Sequence, residues 1–386
     1  MDTNPQGSTV KVGAAGGTVE IKLDPSNPDS RQYAAGTTGV TLAAFNFLAT
    51  TTEDVALDTI FFTQRVSSTA SSASASFRDY ARLYVTDEQG NTLGTVVPTS
   101  TKPFITVNSG AFVTHTNDTA GRILTLKADL NPIGPAQLVN YGGQYLGFNI
   151  TDQVDVVVKG ALTGVAGIKY LSTSEPPNGK THYMYMGYPT FEKLALSDRL
   201  SASADIYKFK VTANGGDIGL FKFTLDISTT TAKLLTVQVY DVTTAGNEVL
   251  LYDNSGGSGF ASPATLDVQF DSANPTGLDG GKEVIVSRSQ PRTFTVKATF
   301  SGVATGASVS TRIAGDSALE IVPGFISGTD IRVMASSGAV NTDTNNDFIW
   351  SDRHVSGHST TTADWANGFL VSGLGSASST AQVLTL

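Results

Sequence analysis

The sequence of 386 residues contains no cysteine. This absence excludes a disulfide framework, thiol chemistry and a cysteine-ligated zinc site. Basic residues are also scarce, since 25 Lys and Arg stand against 34 Asp and Glu and give a formal net charge of −9. Proteins that bind nucleic acid phosphates need clustered Lys and Arg, and the sequence has no such cluster. We therefore expect no nucleic acid partner.

Long hydrophobic runs are missing as well. No stretch approaches the roughly 18 consecutive apolar residues that a membrane-spanning helix needs, so no membrane span is expected. The first ten residues have neither the basic region nor the apolar region of a signal peptide. Either the chain stays in the cytosol, or this sequence is a mature form whose signal peptide has been removed.

Helical periodicity is also absent. Apolar residues alternate with polar ones in short segments, which Gly, Asn and Pro separate. Charged residues make up only 15% of the chain, and Ser, Thr, Asn and Gly carry much of its polarity. Alternation with turn residues between the segments is typical of antiparallel strands. The pattern predicts an all-β protein with two tandem immunoglobulin-like antiparallel β-sandwich domains.

An internal repeat sets the predicted domain organisation. Short segments of the first half recur in the second half in the same order, so the chain carries two copies of one unit. The matched segments are 45–50 with 209–214, 53–57 with 216–220, 83–87 with 237–241, 131–134 with 274–277 and 155–167 with 293–305. In a duplicated fold, matched positions should occupy the same core sites. We therefore expect Phe45 to superpose on Phe209, Val158 on Val296 and Gly164 on Gly302.

The repeat divides the chain into three parts. Residues 1–34 are predicted to form an N-terminal β-hairpin extension with a linker. Residues 35–187 form the first β-sandwich, and residues 188–386 form the second, which includes a C-terminal β extension at 319–386. Within this extension the segments 330–336, 347–352 and 368–374 are strand-like.

The two ends of the chain predict how copies associate. Residues 10–23 alternate like a pair of strands and lie outside both copies of the repeat, and residues 381–386 are also strand-like. Free strands expose unpaired backbone groups and apolar faces, which invites pairing with another sheet edge. We expect the terminal strands to pair with neighbouring subunits and to propagate head to tail.

One calcium candidate lies in the C-terminal extension. Asp343, Asn345 and Asp347 match the first three ligand positions of a D-x-[DN]-x-[DN] calcium loop. Phe348 then stands where that loop has Gly, and no Glu occupies its twelfth position. The alternatives are an irregular calcium site and a plain polar turn, so calcium is the only cofactor that the sequence suggests.

Two histidines follow in the same region. His354 and His358 lie near Asp352 and Asp364, which resembles a set of metal ligands. Ser, Gly and a run of Thr surround them and disfavour the helix that would bring both rings to one ion. We expect a hydrogen bond between His358 and Asp364 that stabilises a loop.

Further motifs concern sugars. Asn117 begins an N-glycosylation sequon on a predicted turn, and Asn149 begins another within a predicted strand, so Asn117 is the candidate. Trp350 and Trp365 flank one polar loop. We predict that they belong to a hairpin packed on the second domain with the two rings in contact; exposed rings would instead indicate sugar binding.

The sequence offers no catalytic site. Nucleophilic catalysis needs a base beside the nucleophile, and neither Cys nor a G-x-S-x-G elbow is present. Paired carboxylates lie on predicted turns, where they serve solubility. We expect no enzymatic activity.

Residues 346–374 carry a family resemblance. FIWSD, HSTTT, DW, NGFLV and GL follow one another there, at 348–352, 358–362, 364–365, 367–371 and 373–374. This succession resembles the end of surface-layer-like, tandem β-sandwich cell-surface proteins of ultrasmall candidate-phylum bacteria. YPT at 188–190 with KFKVTA at 208–213 resembles the start of their repeated domains. The resemblance implies an exported, self-assembling cell-surface protein and transfers no catalytic residues.

Together these observations predict a structural subunit of an extracellular surface assembly. Its copies would join through β-strand contacts into a surface-layer-like lattice or a filament. The alternative is an adhesin or carbohydrate-binding surface module, for which surface glycans would be the partner.

Overall fold

A computed structural model describes residues 16–50, 53–65, 76–134, 137–139, 141–196, 199–254, 259–270, 283–319, 331 and 346–386. Regular structure in these ranges consists of β-strands and of short 3₁₀ helices at Phe77–Asp79 and Gln153–Asp155. The predicted all-β fold with antiparallel sheets is therefore confirmed. None of the helices in the described ranges is long and apolar enough to cross a membrane.

Fifteen strands of the described chain precede residue 188. They are β1 Thr18–Leu23, β2 Gln32–Ala34, β3 Val40–Ala49, β4 Val55–Phe61, β5 Thr63–Gln64, β6 Tyr80–Thr86, β7 Thr92–Val96, β8 Phe104–Thr106, β9 Val113–Thr114, β10 Arg122–Leu130, β11 Gln144–Leu146, β12 Phe148–Asn149, β13 Val156–Gly160, β14 Ile168–Leu171 and β15 His182–Tyr185.

The remaining described strands follow residue 187. They are β16 Tyr188–Lys193, β17 Ser203–Asn214, β18 Ile218–Thr230, β19 Lys233–Thr244, β20 Asn247–Asp253, β21 Ala264–Gln269, β22 Val284–Val286, β23 Arg292–Ser301, β24 Ser308–Ile313, β25 Phe348–Ser351, β26 Trp365–Asn367 and β27 Gln382–Thr385.

The first sandwich packs a larger sheet, of order β14-β1-β3-β10-β6-β7, on a smaller sheet of order β13-β4-β8. Both sheets supply alternate residues to one hydrophobic core, as Leu124 and Leu126 of β10 and Val156 and Val158 of β13 illustrate. This period of two is the one that the sequence displays. β3 departs from it and is buried almost along its whole length.

A third sheet, of order β11-β15-β2, explains the burial of β3. It lies against β3, where the Tyr33 hydroxyl donates to the carbonyl oxygen of Thr41 at 2.8 Å. His182 Nε2 lies 3.1 Å from the carbonyl oxygen of Leu42. Burial lowers the pKa of His182 to about 4, so the neutral ring donates from Nε2. β3 is thus enclosed by two layers.

The second sandwich repeats the arrangement. Its first sheet has the order β16-β17-β23-β19-β20, and its second sheet is built on the long strand β18. β18 pairs with β21 and β22 along one edge and with β24 and β25 along the other. Phe209 lies at the centre of the core, with ring centroids 5.2 Å from Phe191 and 5.0 Å from Phe294.

The two sandwiches have the same topology. β1, β3, β10, β6 and β7 hold the places of β16, β17, β23, β19 and β20, and β4 and β13 correspond to β18 and β24. Phe45 pairs with Leu124 across β3 and β10, as Phe209 pairs with Phe294 across β17 and β23. The predicted equivalence of Phe45 and Phe209 is therefore correct.

The predicted equivalence of Val158 and Val296 is wrong. Val158 belongs to β13 in the smaller sheet of the first domain, whereas Val296 belongs to β23 in the first sheet of the second domain. The counterpart of Val296 is Leu126, because Leu126 pairs with Val85 as Val296 pairs with Val239.

A shared turn accounts for the false match. Gly164 and Gly302, which follow the two strands, both have φ of 68°, a left-handed conformation that favours Gly. The similarity of 155–167 to 293–305 therefore reflects an alternating strand followed by one turn type, which different strands can share. Residues 274–277, part of another predicted match, lie outside the described residues.

The N-terminal strand lies inside the first sandwich. β1 pairs with β3 along one edge and with β14 along the other, so its backbone groups are bonded within its own sheet. β2 pairs in parallel with β15 of the third sheet. The expectation that this strand is free for a neighbouring subunit is wrong for residues 18–23; Val10 and Val12 lie outside the described residues.

The C-terminal strand also folds back onto its own domain. β27 pairs antiparallel with β24 and buries Leu384 in the second core. The expectation of a free strand is therefore wrong at this end too. Val383 and Leu386, however, remain more than half exposed on this strand and directly after it.

The segment from Phe348 forms the predicted hairpin. β25 pairs antiparallel with β26, and both tryptophans are buried. The predicted contact between the two rings is wrong, because Trp350 pairs with Ala366 and Ser351 with Trp365, which places the rings on opposite faces. Trp350 packs on Tyr185 with ring centroids 4.9 Å apart, and Trp365 packs on Phe221 at 5.3 Å.

The other two segments of the extension that the sequence predicts to be strand-like, 368–374 and 330–336, differ from this prediction. Residues 368–374 form turns rather than a strand, with φ of 61° at Leu370 and 88° at Gly373, and Ser372 forms a parallel bridge with Thr190 of β16. Of residues 330–336 the structure describes only Ile331, which has a helical and not a strand conformation and whose side chain is buried.

Candidate functional site at the domain junction

The C-terminal hairpin lies between the two domains. Its Asp352 accepts a hydrogen bond at Oδ2 from the backbone N–H of Met186, at 3.0 Å. Gln32 of the first domain donates to the carbonyl oxygen of Phe369 at 3.0 Å. The packing of Trp350 on Tyr185 adds an apolar contact at the same place. Residues of the C-terminal segment 346–374 therefore connect the two sandwiches.

The hairpin also brings two carboxylates together. β25 ends at Ser351 and β26 begins at Trp365, so Asp352 and Asp364 are neighbours at the end of the ladder. The backbone N–H of Asp352 donates to the carbonyl oxygen of Asp364 at 3.2 Å. Both side chains are buried. Buried carboxylates are stable only with charged or hydrogen-bonding partners.

Each carboxylate is paired with a histidine. His354 Nδ1 lies 2.5 Å from Asp352 Oδ1, and His358 Nδ1 lies 2.7 Å from Asp364 Oδ2. The predicted hydrogen bond between His358 and Asp364 is thus confirmed. The backbone N–H of Gly142 donates to His354 Nε2 at 3.3 Å, so this ring carries its proton on Nδ1 and donates it to Asp352.

A third carboxylate joins from a distant part of the sequence. Glu283, next to β22, is buried and forms an ion pair with Arg353. Its Oε2 lies 3.1 Å from Nε2 of His358. Because both ring nitrogens of His358 face carboxylates, both donate, which corresponds to the charged imidazolium. His358 therefore connects Glu283 to Asp364.

We call Asp352, Asp364, Glu283, Arg353, His354 and His358 the junction cluster. Burial alone would lower the pKa of His354, but its hydrogen bond to Asp352 and the charges of Asp352 and Asp364 outweigh burial and raise it. Burial alone would raise the pKa of Asp364, but the hydrogen bonds with His358 and Thr362 outweigh burial and lower it. Both shifts favour the charged forms.

The loop between the two strands supports this arrangement. Thr362 Oγ1 lies 2.7 Å from Asp364 Oδ1 and accepts the backbone N–H of Ser359 at 3.0 Å. Trp365 donates from Nε1 to the carbonyl oxygen of Ser359 at 3.0 Å. These contacts give residues 358–362 and 364–365 a structural role, because they fix the Asp364 carboxylate.

Two glycines make room for the carboxylates. A Cβ on Gly142 would lie 2.2 Å from Asp352 Oδ2, so any other residue would displace this carboxylate. A Cβ on Gly219 would overlap Glu283 in the same way. Neither glycine belongs to the C-terminal segment, which shows that both domains are shaped to receive the cluster.

A small cavity lies at the centre of the junction. Its lining comprises Gly142, Tyr185, Asp352, His354, Ala363, Asp364 and Trp365, and its volume is about 10 Å³. This is room for roughly one atom of the size of a water oxygen. Tyr185 is only 3% exposed, and its hydroxyl has no hydrogen-bond partner among the described residues. One ligand atom each from Asp352, His354 and Asp364 lie within 4.8 Å of one another.

A separate buried carboxylate, Asp316, fixes the start and the end of the hairpin. It accepts the backbone N–H groups of Asp347 at 2.9 Å, Phe348 at 3.2 Å and Gly368 at 2.6 Å. Burial raises the pKa of Asp316 to about 7. Because this pKa lies above the unfolded value near 3.9, its contribution to stability is complete below about pH 4 and is lost as the pH rises through 7.

Asp316→Asn is expected to lower the free energy of unfolding by about 1–3 kcal/mol at pH 5, because one amide oxygen cannot accept all three N–H groups. The deficit should shrink between pH 5 and pH 8, since the wild type loses its contribution there and the amide does not titrate. Urea denaturation between pH 5 and pH 8 measures both the stability deficit of the variant and its change with pH. Asp118→Asn, on an exposed turn, is the control. A deficit that stays constant with pH would contradict the assignment.

Of the three predicted calcium residues, only Asp347 lies among the described residues. Asp343 and Asn345 lie outside the described residues. The backbone carbonyl of Asp347 accepts from Thr224 N at 2.7 Å. Burial raises the pKa of the Asp347 carboxyl, although Thr224 and Lys222 favour its charge. Asp347 is therefore hydrogen-bonded to β18, and the described residues include no second one of the predicted calcium ligands.

The glycosylation candidates differ as expected. Asn117 is exposed on a turn, whereas Asn149 is part of β12 and accepts from Arg65 at 3.2 Å. Modification of Asn117 stays a prediction.

Sequence reasoning missed four contributors to the junction, of which Arg353 lies within the C-terminal segment and the other three lie elsewhere in the chain. Glu283 follows a segment outside the described residues and carries no motif, and Tyr185 and Gly142 belong to the first half of the chain. Asp352, His354, His358 and Asp364 could be found from their spacing in the sequence. No local pattern, however, indicates which distant residues contact them.

No protein-family model matches the chain, and no curated protein matches it. Among solved structures, a chain titled BspA_C_mut is 11% identical, with 76% of this chain and 93% of that chain covered and a TM-score of 0.18. The serine-rich repeat protein Srr2 of Streptococcus agalactiae is also 11% identical, with 77% and 87% covered and a TM-score of 0.17. A putative secreted protein of Eubacterium rectale is 10% identical, with 67% and 64% covered and a TM-score of 0.17. Scores this low identify neither a family nor a function.

Proposed function

We propose that the protein is a structural subunit of an extracellular surface assembly. The observation that supports this most directly is an apolar, exposed margin of the first sandwich, which we call the open edge. It comprises the 3₁₀ helix Gln153–Asp155, β13, β14 and the turn between these strands. The partner that we assign to the open edge is a second copy of the chain.

The open edge exposes several large apolar side chains. Between 36% and 89% of each is accessible, and they are Val154, Val157, Leu162, Val165, Ile168 and Tyr170. Among the described residues, β13 pairs with β4 and bridges from Lys159 to Ala166 of the following turn, and β14 pairs with β1, so it is the outer edge of β14 that has no strand beside it. Exposed apolar patches and unpaired strand edges mark interaction sites, because burial removes apolar surface from water and pairs the backbone.

The second sandwich shows what such an edge looks like when it is covered. β24, the counterpart of β13, pairs with β27. The bridge of Ser372 to Thr190 takes the place of β14 beside β1. Val371, Leu374 and Leu384 are buried there. C-terminal residues thus cover this margin in the second domain, whereas in the first domain only the short bridge of Lys159 to Ala166 covers β13 and the apolar side chains stay exposed.

The surface of β27 is the complement that we assign to the open edge. Val383 and Leu386 are more than half exposed on it, in the other domain. A contact between two different surfaces is heterologous and can propagate from copy to copy. The junction cluster supports this role, because it connects the two domains that carry the two surfaces.

The extracellular setting rests on the composition and on the resemblance of residues 346–374. The carbohydrate-binding alternative receives less support, because Trp350 and Trp365 are buried and offer no ring face to a sugar. Surface biotinylation of intact cells of the source organism tests the location.

Val157→Lys combined with Ile168→Lys is expected to abolish self-association, because two charges would have to be buried unpaired. Val383→Lys should have the same effect from the opposite surface. Sedimentation velocity and negative-stain electron microscopy measure assembly, and thermal unfolding checks the fold. Val97→Lys combined with Leu138→Lys places the same charges at exposed apolar positions elsewhere and should assemble like the wild type.

Mixing the two defective variants separates the possible geometries. Each retains one intact surface, so the mixture should form heterodimers that do not extend. A wild type that remains monomeric at every concentration would refute the assembly function. Normal assembly of the Val157→Lys/Ile168→Lys variant would refute the open edge as the contact and leave the function standing.

A further inference from the structure

The junction cluster has an excess of negative charge. It contains three carboxylates, of Asp352, Asp364 and Glu283, and the guanidinium of Arg353. Three carboxylates against one guanidinium favour a cation beside them, because buried charges are stable only when they are compensated.

The donor set suits a cation. Two carboxylates and an imidazole bring one ligand atom each to within 4.8 Å of the others. Ligands of one Zn²⁺ ion lie about 3–4 Å apart at bond lengths near 2 Å, so closure requires movements of about 1 Å or less. A mixture of imidazole and carboxylate ligands favours Zn²⁺ and similar transition metals over Ca²⁺, which prefers oxygen alone.

An independent observation points into the same cavity. Tyr185 is only 3% exposed, and its hydroxyl has no hydrogen-bond partner among the described residues. Such a group destabilises the folded state unless something else binds it. Tyr185 and Asp352 line the same cavity, and burial raises the pKa of the Tyr185 hydroxyl above its usual value. A cation between them would satisfy both.

Hydrogen bonds orient the ligands. A histidine that binds a metal through one nitrogen usually donates its other N–H to a carboxylate or a carbonyl. His354 donates from Nδ1 to Asp352, here a second ligand of the same site, and its Nε2 accepts only a long bond of 3.3 Å. Asp364 is held by His358 and Thr362, and Asp352 by the backbone of Met186.

We propose that the cavity at the domain junction binds one divalent transition-metal ion of the Zn²⁺ class through Asp352, His354, Asp364 and the Tyr185 hydroxyl. The ion would connect the C-terminal hairpin to Tyr185 at the end of the first domain. Protons compete for the ring nitrogen of His354, so affinity should fall as the pH decreases. This site is independent of the open edge and of the proposed assembly.

The test is titration of the full chain, stripped with a chelator, with Zn²⁺ by calorimetry, together with the absorption spectrum of the Co²⁺ complex. We expect one ion per chain and a higher dissociation constant at pH 6 than at pH 7.5. Asp364→Asn should abolish binding. Asp54→Asn, in the exposed pair of Asp54 with His115 at 2.7 Å, should bind like the wild type.

Tyr185→Phe keeps the test decisive if Asp364→Asn does not fold, because it removes only an unpartnered hydroxyl and should leave the metal-free protein as stable as the wild type. Its affinity for Zn²⁺ should fall about tenfold or more, the size of effect that even outer-shell changes produce. The proposal is overturned if the wild type shows no stoichiometric binding, or if Tyr185→Phe binds Zn²⁺ as tightly as the wild type.

Discussion

Trp350→Ala is expected to lower the free energy of unfolding by about 3–5 kcal/mol, the usual cost of truncating a buried Trp. The Trp350 side chain is fully buried in the second core, packs on Tyr185 and donates from Nε1 to the carbonyl oxygen of Asn367 at 2.7 Å. The substitution therefore removes apolar contacts, leaves a cavity and leaves a carbonyl oxygen without its donor. It acts where the C-terminal hairpin meets both domains.

Urea denaturation of the full chain measures this loss. Phe104→Ala is the matched control, because Phe104 is also an aromatic residue on a strand but is half exposed. Its truncation should cost below about 1 kcal/mol, as surface substitutions usually do. Equal losses for the two variants would show that the hairpin contributes little to folding stability.

Asp364→Asn is expected to destabilise the metal-free protein by about 3–5 kcal/mol at pH 7. The amide cannot compensate the positive charge of His358, and removal of one member of a buried pair leaves the other uncompensated. Asp364 is almost inaccessible and interacts with His358, Thr362 and the backbone of Val355.

The pH dependence checks the electrostatic origin. The folded pKa of Asp364 is lowered, so its contribution is present above the unfolded value near 3.9 and is lost as the pH falls through the folded value. The difference between wild type and variant should therefore close below about pH 4. In the exposed pair of Asp54 and His115, water screens the two charges, so Asp54→Asn should cost far less stability than Asp364→Asn. An equally small loss for Asp364→Asn would mean that the junction cluster is not a stabilising ion network.

The local parts of the structure were accessible from the sequence. Alternation predicted the strands, and the spacing of Trp350 and Trp365 around a polar loop predicted the hairpin of β25 and β26. The pairing of His358 with Asp364 followed because the two residues lie six apart in one loop. The equivalence of Phe45 and Phe209 also followed, since their strands occupy matching places in the two copies.

Errors arose where one local pattern fits several places in the fold. Val158 and Val296 each stand in an alternating strand that precedes a left-handed Gly, so the residues around them look alike although β13 and β23 lie in different sheets. The terminal strands were read as free for the same reason. Alternation indicates a buried face, but it does not indicate which sheet supplies it.

The sequence by itself determined the all-β class, the approximate strands and the signature segment, because side-chain alternation and turn chemistry are set by neighbours along the chain. Only the tertiary structure decided that β27 closes the second sandwich while the first keeps an open edge. It also brought Glu283 to His358, 75 positions away in the sequence, and Tyr185 and Gly142 to Asp352. The physical reason is that strand order and the compensation of buried charge depend on contacts between distant residues.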